Sequence, residues 1–200
     1  AKQLRWIFSN EDLSPSFYHE GIFHQLDAAN VWQDESDSAL QSVLENSRRK
    51  INQYLNRPDK QLILIISLRT AHAWFKEDQL VNNCHKLPGQ FFERRLLNKE
   101  DIVKEWKQTL SELPKNIKVI FTVSPVRYTR IGLQENFLGK SILRTAIEAL
   151  IEPPNIVYFP SFEIINDELR DYSFFESNGT HPNSKAVEVV MERFKRFLHL

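Results

Sequence analysis

The sequence predicts an α/β fold, a three-layer α/β/α sandwich around a mostly parallel sheet, and three observations carry that prediction. Three short apolar runs, rich in β-branched and aromatic residues, read as strands covered on both faces: "QLILIISL" (61–68), "IKVIFTVSP" (117–125) and "NIVYFPSFEII" (155–165). Amphipathic helical patterns lie between and after them. The last two strands are each followed by a helix, the alternation that right-handed crossovers between parallel strands require.

Taken in order, "SDSALQSVLENSRRKINQYL" (36–55) sets Leu40, Val43, Leu44, Ile51 and Leu55 near one helical face, with Ser or Asp available as the N-cap. The first strand follows. "NKEDIVKEWKQTLSEL" (98–113) repeats the helical pattern with Ile102, Trp106 and Leu110, and leads into the second strand. "GKSILRTAIEALI" (139–151) is a helix stopped by Pro153 and Pro154 before the third strand. The last helix, about 183–198, aligns Val187, Val190, Met191, Phe194 and Phe197. No repeat, low-complexity tract or interdomain linker interrupts this order, so a single domain over 1–200 is expected.

Bulk properties narrow the function. Acidic and basic residues number 26 each, so no net field draws the chain to nucleic acid or an anionic membrane. The longest apolar run, "LILII" at 62–66, is far too short to span a bilayer. Cys84 is the single cysteine, which rules out an internal disulfide and fits a reducing, cytoplasmic compartment. "AKQLRWIF" is not a secretion signal, and a chain opening on Ala1 leads us to expect a natural start further upstream. Five glycines leave little room for a phosphate-binding loop. The spacing of His72, Cys84 and His85 matches no zinc pattern, and neither metal nor cofactor is expected.

In a parallel sheet, functional residues sit just past the strand C-termini. Three stretches qualify. "RTAHAW" supplies Arg69 and Thr70, and "SPVRYTRIGLQEN" supplies Arg127 and Asn136. "NDELRDYSFFESNGTH" supplies Glu168, Arg170, Asp171, Asn178 and His181. Arg127 is a planar fork suited to a carboxylate or an anionic substrate group. In the carboxylate run 166–172, pairing of Arg170 with Asp167 or Asp171 is the bland expectation. Ser124 reads as a strand-end residue, since no Gly-x-Ser-x-Gly elbow surrounds it. Pro182 restricts His181 to an extended backbone and holds its imidazole at the mouth of the last helix. That placement suits a general base as well as a simple turn residue.

The blocks "NCHKLP", "TVSPVR", "GLQEN" and "YFPSFEIINDELRDY", followed by "HP" before the last helix, occur in this order. Together they resemble the GSCFA family of SGNH/GDSL-like hydrolases. The resemblance implies an acyl-ester hydrolase on a flavodoxin-like sheet, acting on a small-molecule or glycan acyl ester. In it a serine attacks the acyl carbon, a His accepts its proton, and an Asp three residues earlier orients the ring. His181 takes the position of the base. Asn83, in the "NCHK" block, would contact the oxyanion or substrate, and Lys140 falls on another polar block of the family. The Gly-Ser-Cys-Phe-Ala motif that names the family occurs nowhere in the 200 residues, so an N-terminal part of the domain is expected to lie outside them. Five more departures stand at or near the site. Arg69 replaces a Gly, Tyr128 a His and Gly139 a Ser, the family's "DYRFY" is here Asp171-Tyr172-Ser173-Phe174-Phe175, and Asn178 replaces the orienting Asp. These departures raise a second reading, a binding protein that keeps the cleft without the chemistry. Nothing in the residues specifies an oligomeric state.

Overall fold

Along the chain, the computed structural model describes residues 1–9, 11–28, 32–55, 61–82 and 84–199. The elements run α1 (Lys2–Phe8), β1 (Phe17–His19), β2 (Ile22–His24), β3 (Gln33–Asp34), α2 (Asp37–Leu55) and β4 (Leu62–Leu68). They continue with β5 (His72–Lys76), β6 (Gln79–Val81), β7 (Glu93–Leu96), α3 (Lys99–Ser111), β8 (Ile117–Val123) and α4 (Leu133–Glu148). The chain ends with β9 (Ile156–Tyr158), the short α5 (Ser161–Glu163) and α6 (Ser184–Leu198). The fold is mixed α/β. It divides into two compact units: Ala1–Leu62, His72–Leu97 and Lys104–Asn116 form the first, and Ile63–Ala71, Asn98–Val103 and Ile117–Leu200 the second.

The first unit holds two antiparallel sheets that the sequence reading did not predict, β1-β2-β3 and β6-β5-β7. Their hairpins turn through positive φ at Glu20 (47°) and Gly21 (86°), and at Glu77 (49°) and Asp78 (64°). Those are the backbone angles a tight two-residue hairpin needs. Arg5, buried on α1, bridges Glu11 at 2.5 Å and Glu105 at 2.7 Å and donates to Thr109 Oγ1 at 3.0 Å. A buried guanidinium is tolerable only with such partners. The segment from His24 to Ala28 is buried throughout. Gln25 donates from Nε2 to the Ser14 carbonyl at 2.9 Å, and Asp27 accepts from the Ser14 N–H at 2.6 Å. The His24 ring meets the His85 ring edge-on at 5.7 Å, and His85 Nε2 lies 3.1 Å from the Ala28 carbonyl. His85 is thus a buried, hydrogen-bonded imidazole.

The second unit is built on the parallel sheet β4-β8-β9. Every residue from Val119 to Ser124 is buried, as continuous apolar sequence on a central strand demands. Ile120, Phe159 and Ile164 form one core cluster under Val190, Phe194 and Phe197 of α6. Phe159 packs edge-on against Phe194 at 4.9 Å. The third expected strand is much shorter than 155–165. It ends at Tyr158, and Ser161 starts a helical turn that continues as a π turn over Ile164–Glu168. Pro160 lacks the N–H that a ladder needs. Beyond it Ile164 and Ile165 sit buried in the two core clusters, with Leu169 packed against both. The Ser161 hydroxyl is buried here too, 2.5 Å from Thr122 Oγ1 and donating to the Val123 carbonyl at 2.9 Å. Among the described residues no helix is long and apolar enough to cross a membrane.

Burial holds His24 and His85 below the ordinary imidazole value of 6.5. For His24, the nearby His85 and His19 act in the same direction. For His85, backbone hydrogen bonds at Ala28 and Gln25 oppose it. As pH falls through 6.5 the unfolded chain therefore takes protons that the folded one refuses, and stability drops. The urea midpoint should decrease between about pH 7.5 and about pH 5.5, and decrease less in His24→Phe, which removes one of the two proton acceptors.

Candidate active site

The C-terminal ends of β4 and β8 are joined by one side chain. Lys140, on the third turn of α4 and 2 % exposed, donates from Nζ to the Arg69 carbonyl at 2.6 Å and to the Ser124 carbonyl at 2.5 Å. No carboxylate accompanies it among the described residues. Burial, helped by the nearby Arg69 charge, pushes its pKa down to about 8. Loss of the proton would still leave two N–H donors, one for each carbonyl. Ser124 closes the same corner: its N–H donates to the Leu68 carbonyl at 2.9 Å, and its Oγ accepts from the Val126 N–H at 3.3 Å. Lys140 is therefore a tie between strand ends.

Arg127 leaves this corner and grips the loop that carries His181. Its N–H donates to the Thr180 carbonyl at 3.0 Å. Its guanidinium lies 4.3 Å over the Phe175 ring and 5.0 Å from the Tyr172 ring. Cation–π contacts are worth about 0.5–1 kcal/mol at exposed sites and about 2 when desolvated. The half-buried Arg127 over a buried Phe175 falls between those limits. The loop is also closed on itself. Glu176 N–H donates to the His181 carbonyl at 2.8 Å, and Asn183 N–H to the Phe174 carbonyl at 2.9 Å. Phe175 and Pro182 form an antiparallel bridge between these two bonds.

His181 is exposed on this closed loop, directly after its 177–180 turn, and among the described residues no side chain hydrogen-bonds its ring. Asn178 does not reach it. Its Oδ1 accepts the Thr180 N–H at 2.9 Å, an Asx turn across Gly179, whose φ is 65°. Asp171 is committed elsewhere as well, accepting the Ser173 N–H at 2.7 Å as the cap of a 3-10 turn.

The remaining predicted site residues divide between those that support this region and those that stand apart. Asn136 accepts the Tyr128 N–H at 2.8 Å and shapes the loop after β8. Arg69 is exposed and Thr70 half-buried just past β4. Glu168 pairs with Arg193 of α6. Arg170 pairs with neither Asp167 nor Asp171, contrary to expectation. The π turn ends at Glu168 and Asp171 is extended, so the spacing that would have paired them on a regular helix is lost. Asn83 lies outside the described residues. Among those described, no group of three or more His, Cys, Asp or Glu could hold a metal ion.

One residue that matters was missed. Asn183 caps α6, accepting the Ala186 N–H at 3.2 Å, and reaches back through Nδ2 to the Ser173 carbonyl at 2.6 Å. An Asn directly before "SKAV" is an ordinary N-cap signal, and the second bond could not be read from it. Asn183→Ala should cost about 1 kcal/mol in urea unfolding. It should also speed amide exchange in residues 174–183 beyond what the global loss explains.

No curated protein and no solved structure matches the chain. The GSCFA family model matches residues 1–194, and the chain belongs to the GSCFA family.

Proposed function

We propose that this chain is the histidine-bearing part of an acyl-ester hydrolase of the SGNH type, with the flavodoxin-like three-layer arrangement such enzymes share. The observation that carries the reading is the exposed His181 imidazole, held by a closed loop that Arg127 fastens to the C-terminal end of β8. A general base needs that combination: an open ring and an immobile backbone. The nucleophilic serine would come from residues outside these 200. Ser124 and Ser161, the buried serines at the end of β8, are bonded to backbone, and neither hydroxyl is open to a substrate. Val190, Phe194 and Phe197 of α6 cover Ile120, whereas α4 packs on β8 from its Lys140 stripe, which supports helices on both faces of the sheet.

A second reading, a binding protein descended from such an enzyme, is favoured by Asn178. Its side chain closes a turn, and no carboxylate meets the His181 ring among the described residues. Replacing the orienting Asp by Asn lowers turnover by about ten-thousandfold in a serine protease.

Labelling of the complete natural protein by a fluorophosphonate, read by intact mass, separates the two. The hydrolase reading expects labelling that is abolished in His181→Ala. It also expects faster labelling in Asn178→Asp, because Asp can keep the turn to Thr180 and offer a charged oxygen to the ring. Absence of labelling in all three proteins would contradict it and leave the binding reading.

A further inference from the structure

The first unit holds a cavity of about 460 Å³, within the range of about 300–1,000 Å³ typical of small-molecule sites. The register of β5 on β7 builds it. Phe75 lies opposite Glu93 and Ala73 opposite Arg95, so Phe75, Glu93 and Arg95 stand on one face of that sheet. Phe91 and Phe92 enter at the end of the 3-10 turn that precedes β7, and Glu77 and Asp78 enter from the β5–β6 hairpin.

Its wall is part aromatic and part polar. Arg95 lies 4.5 Å over the Phe75 ring, and Phe91 packs edge-on with Phe17 at 5.7 Å and with His19 at 5.3 Å. Phe92 is half-buried, and among the described residues neither a ring nor a cation lies against it. On the polar side Arg95 pairs with Asp78 at 2.6 Å and with Glu93, and Lys76 pairs with Glu77. The side-chain amide of Gln90 stands beside them. Each cation therefore already has a carboxylate, and each carboxylate keeps lone pairs that its partner does not use.

Those pairs narrow the ligand. An anion would meet three carboxylates and two cations that are already paired. A cation would have to compete with Arg95 for Asp78 and Glu93. A wholly apolar ligand would cover the ion pairs without bonding to them. A saccharide has none of these conflicts. Its hydroxyls each donate and accept, which suits carboxylates standing beside Lys, Arg and Gln donors. The C–H face of its ring suits the electron-rich face of a phenyl group. We propose that this cavity binds a saccharide, with one sugar ring against Phe92 and its hydroxyls bonded to the Asp78–Arg95–Glu93 network. The cavity and the His181 loop share no residue, so the proposal stands or falls apart from the hydrolase reading.

Backbone amide shifts of the isotope-labelled complete protein test it, read during titration with maltose, cellobiose and N,N′-diacetylchitobiose. Benzoate and tetramethylammonium serve as the anionic and cationic contrasts. At least one disaccharide should give saturable shifts centred on residues 75–78 and 90–95, and bind about tenfold or more tightly than either ion. Phe92→Ala and Glu93→Ala should each weaken that disaccharide by about tenfold, the first by removing the ring and the second by removing a charged acceptor. Glu93 is exposed, so its variant keeps the fold and decides the matter if Phe92→Ala does not. No shift with any disaccharide, shifts centred elsewhere, binding of either ion as tight as that of every disaccharide, or an affinity unchanged by Glu93→Ala would each overturn the proposal.

Discussion

The constraint on which the site depends is the double grip of Arg127. Its backbone belongs to the loop that leaves β8 and its N–H holds Thr180, while its side chain covers Phe175 and Tyr172. One residue thus links the end of a central strand to the loop that presents His181. The remaining bonds of that loop, from Glu176 to His181 and from Asn183 to Phe174 and Ser173, are local and would close it wherever it lay. Phe174 and Phe175 also pack the loop against Ile165 and Ala186, but among the described residues only Arg127 ties it to the end of β8 by both main chain and side chain. A lysine could not do the same, because stacking over two rings uses the planar guanidinium.

Lys140 works on the other side of the same corner. It is a buried cation with carbonyl partners and, among the described residues, no carboxylate, an arrangement that burial makes costly and that two short hydrogen bonds offset. What it achieves is alignment of the chain at Arg69 with the chain at Ser124. Arg127 and Lys140 both looked like ligand-binding cations in the sequence. In the fold Lys140 is a structural tie, and Arg127 combines support with a charge left open to solvent.

The parallel sheet was legible because its strands are short apolar runs, and β4 and β8 fall within a residue or two of where the pattern put them, although β4 is not covered on both faces as expected: Ile63 and Ile65 on one face are exposed. The third strand was half misread because Phe159, Phe162, Ile164 and Ile165 look equally apolar on a strand or a turn of helix, and only Pro160 tipped the balance. The antiparallel sheets were not legible. β5, β6 and β7 have three to five residues each, "ERRL" is mostly charged, and the Glu77-Asp78 turn lacks the Asn-Gly or Asp-Gly signature of its backbone angles. At the site, the position of His181 just before α6 was readable from His-Pro. The use of Asn178 was not, because an Asx turn and an altered catalytic orienter have the same sequence.

The most direct test of this account is hydrogen exchange at the Glu176 amide, which donates to the His181 carbonyl, compared between wild type and Arg127→Met. If Arg127 fixes the loop, exchange at Glu176 should rise by about tenfold or more, while amides in β8 change only as much as global stability does. Unchanged protection of Glu176 would mean that the loop holds itself, and would contradict the claim that Arg127 positions His181.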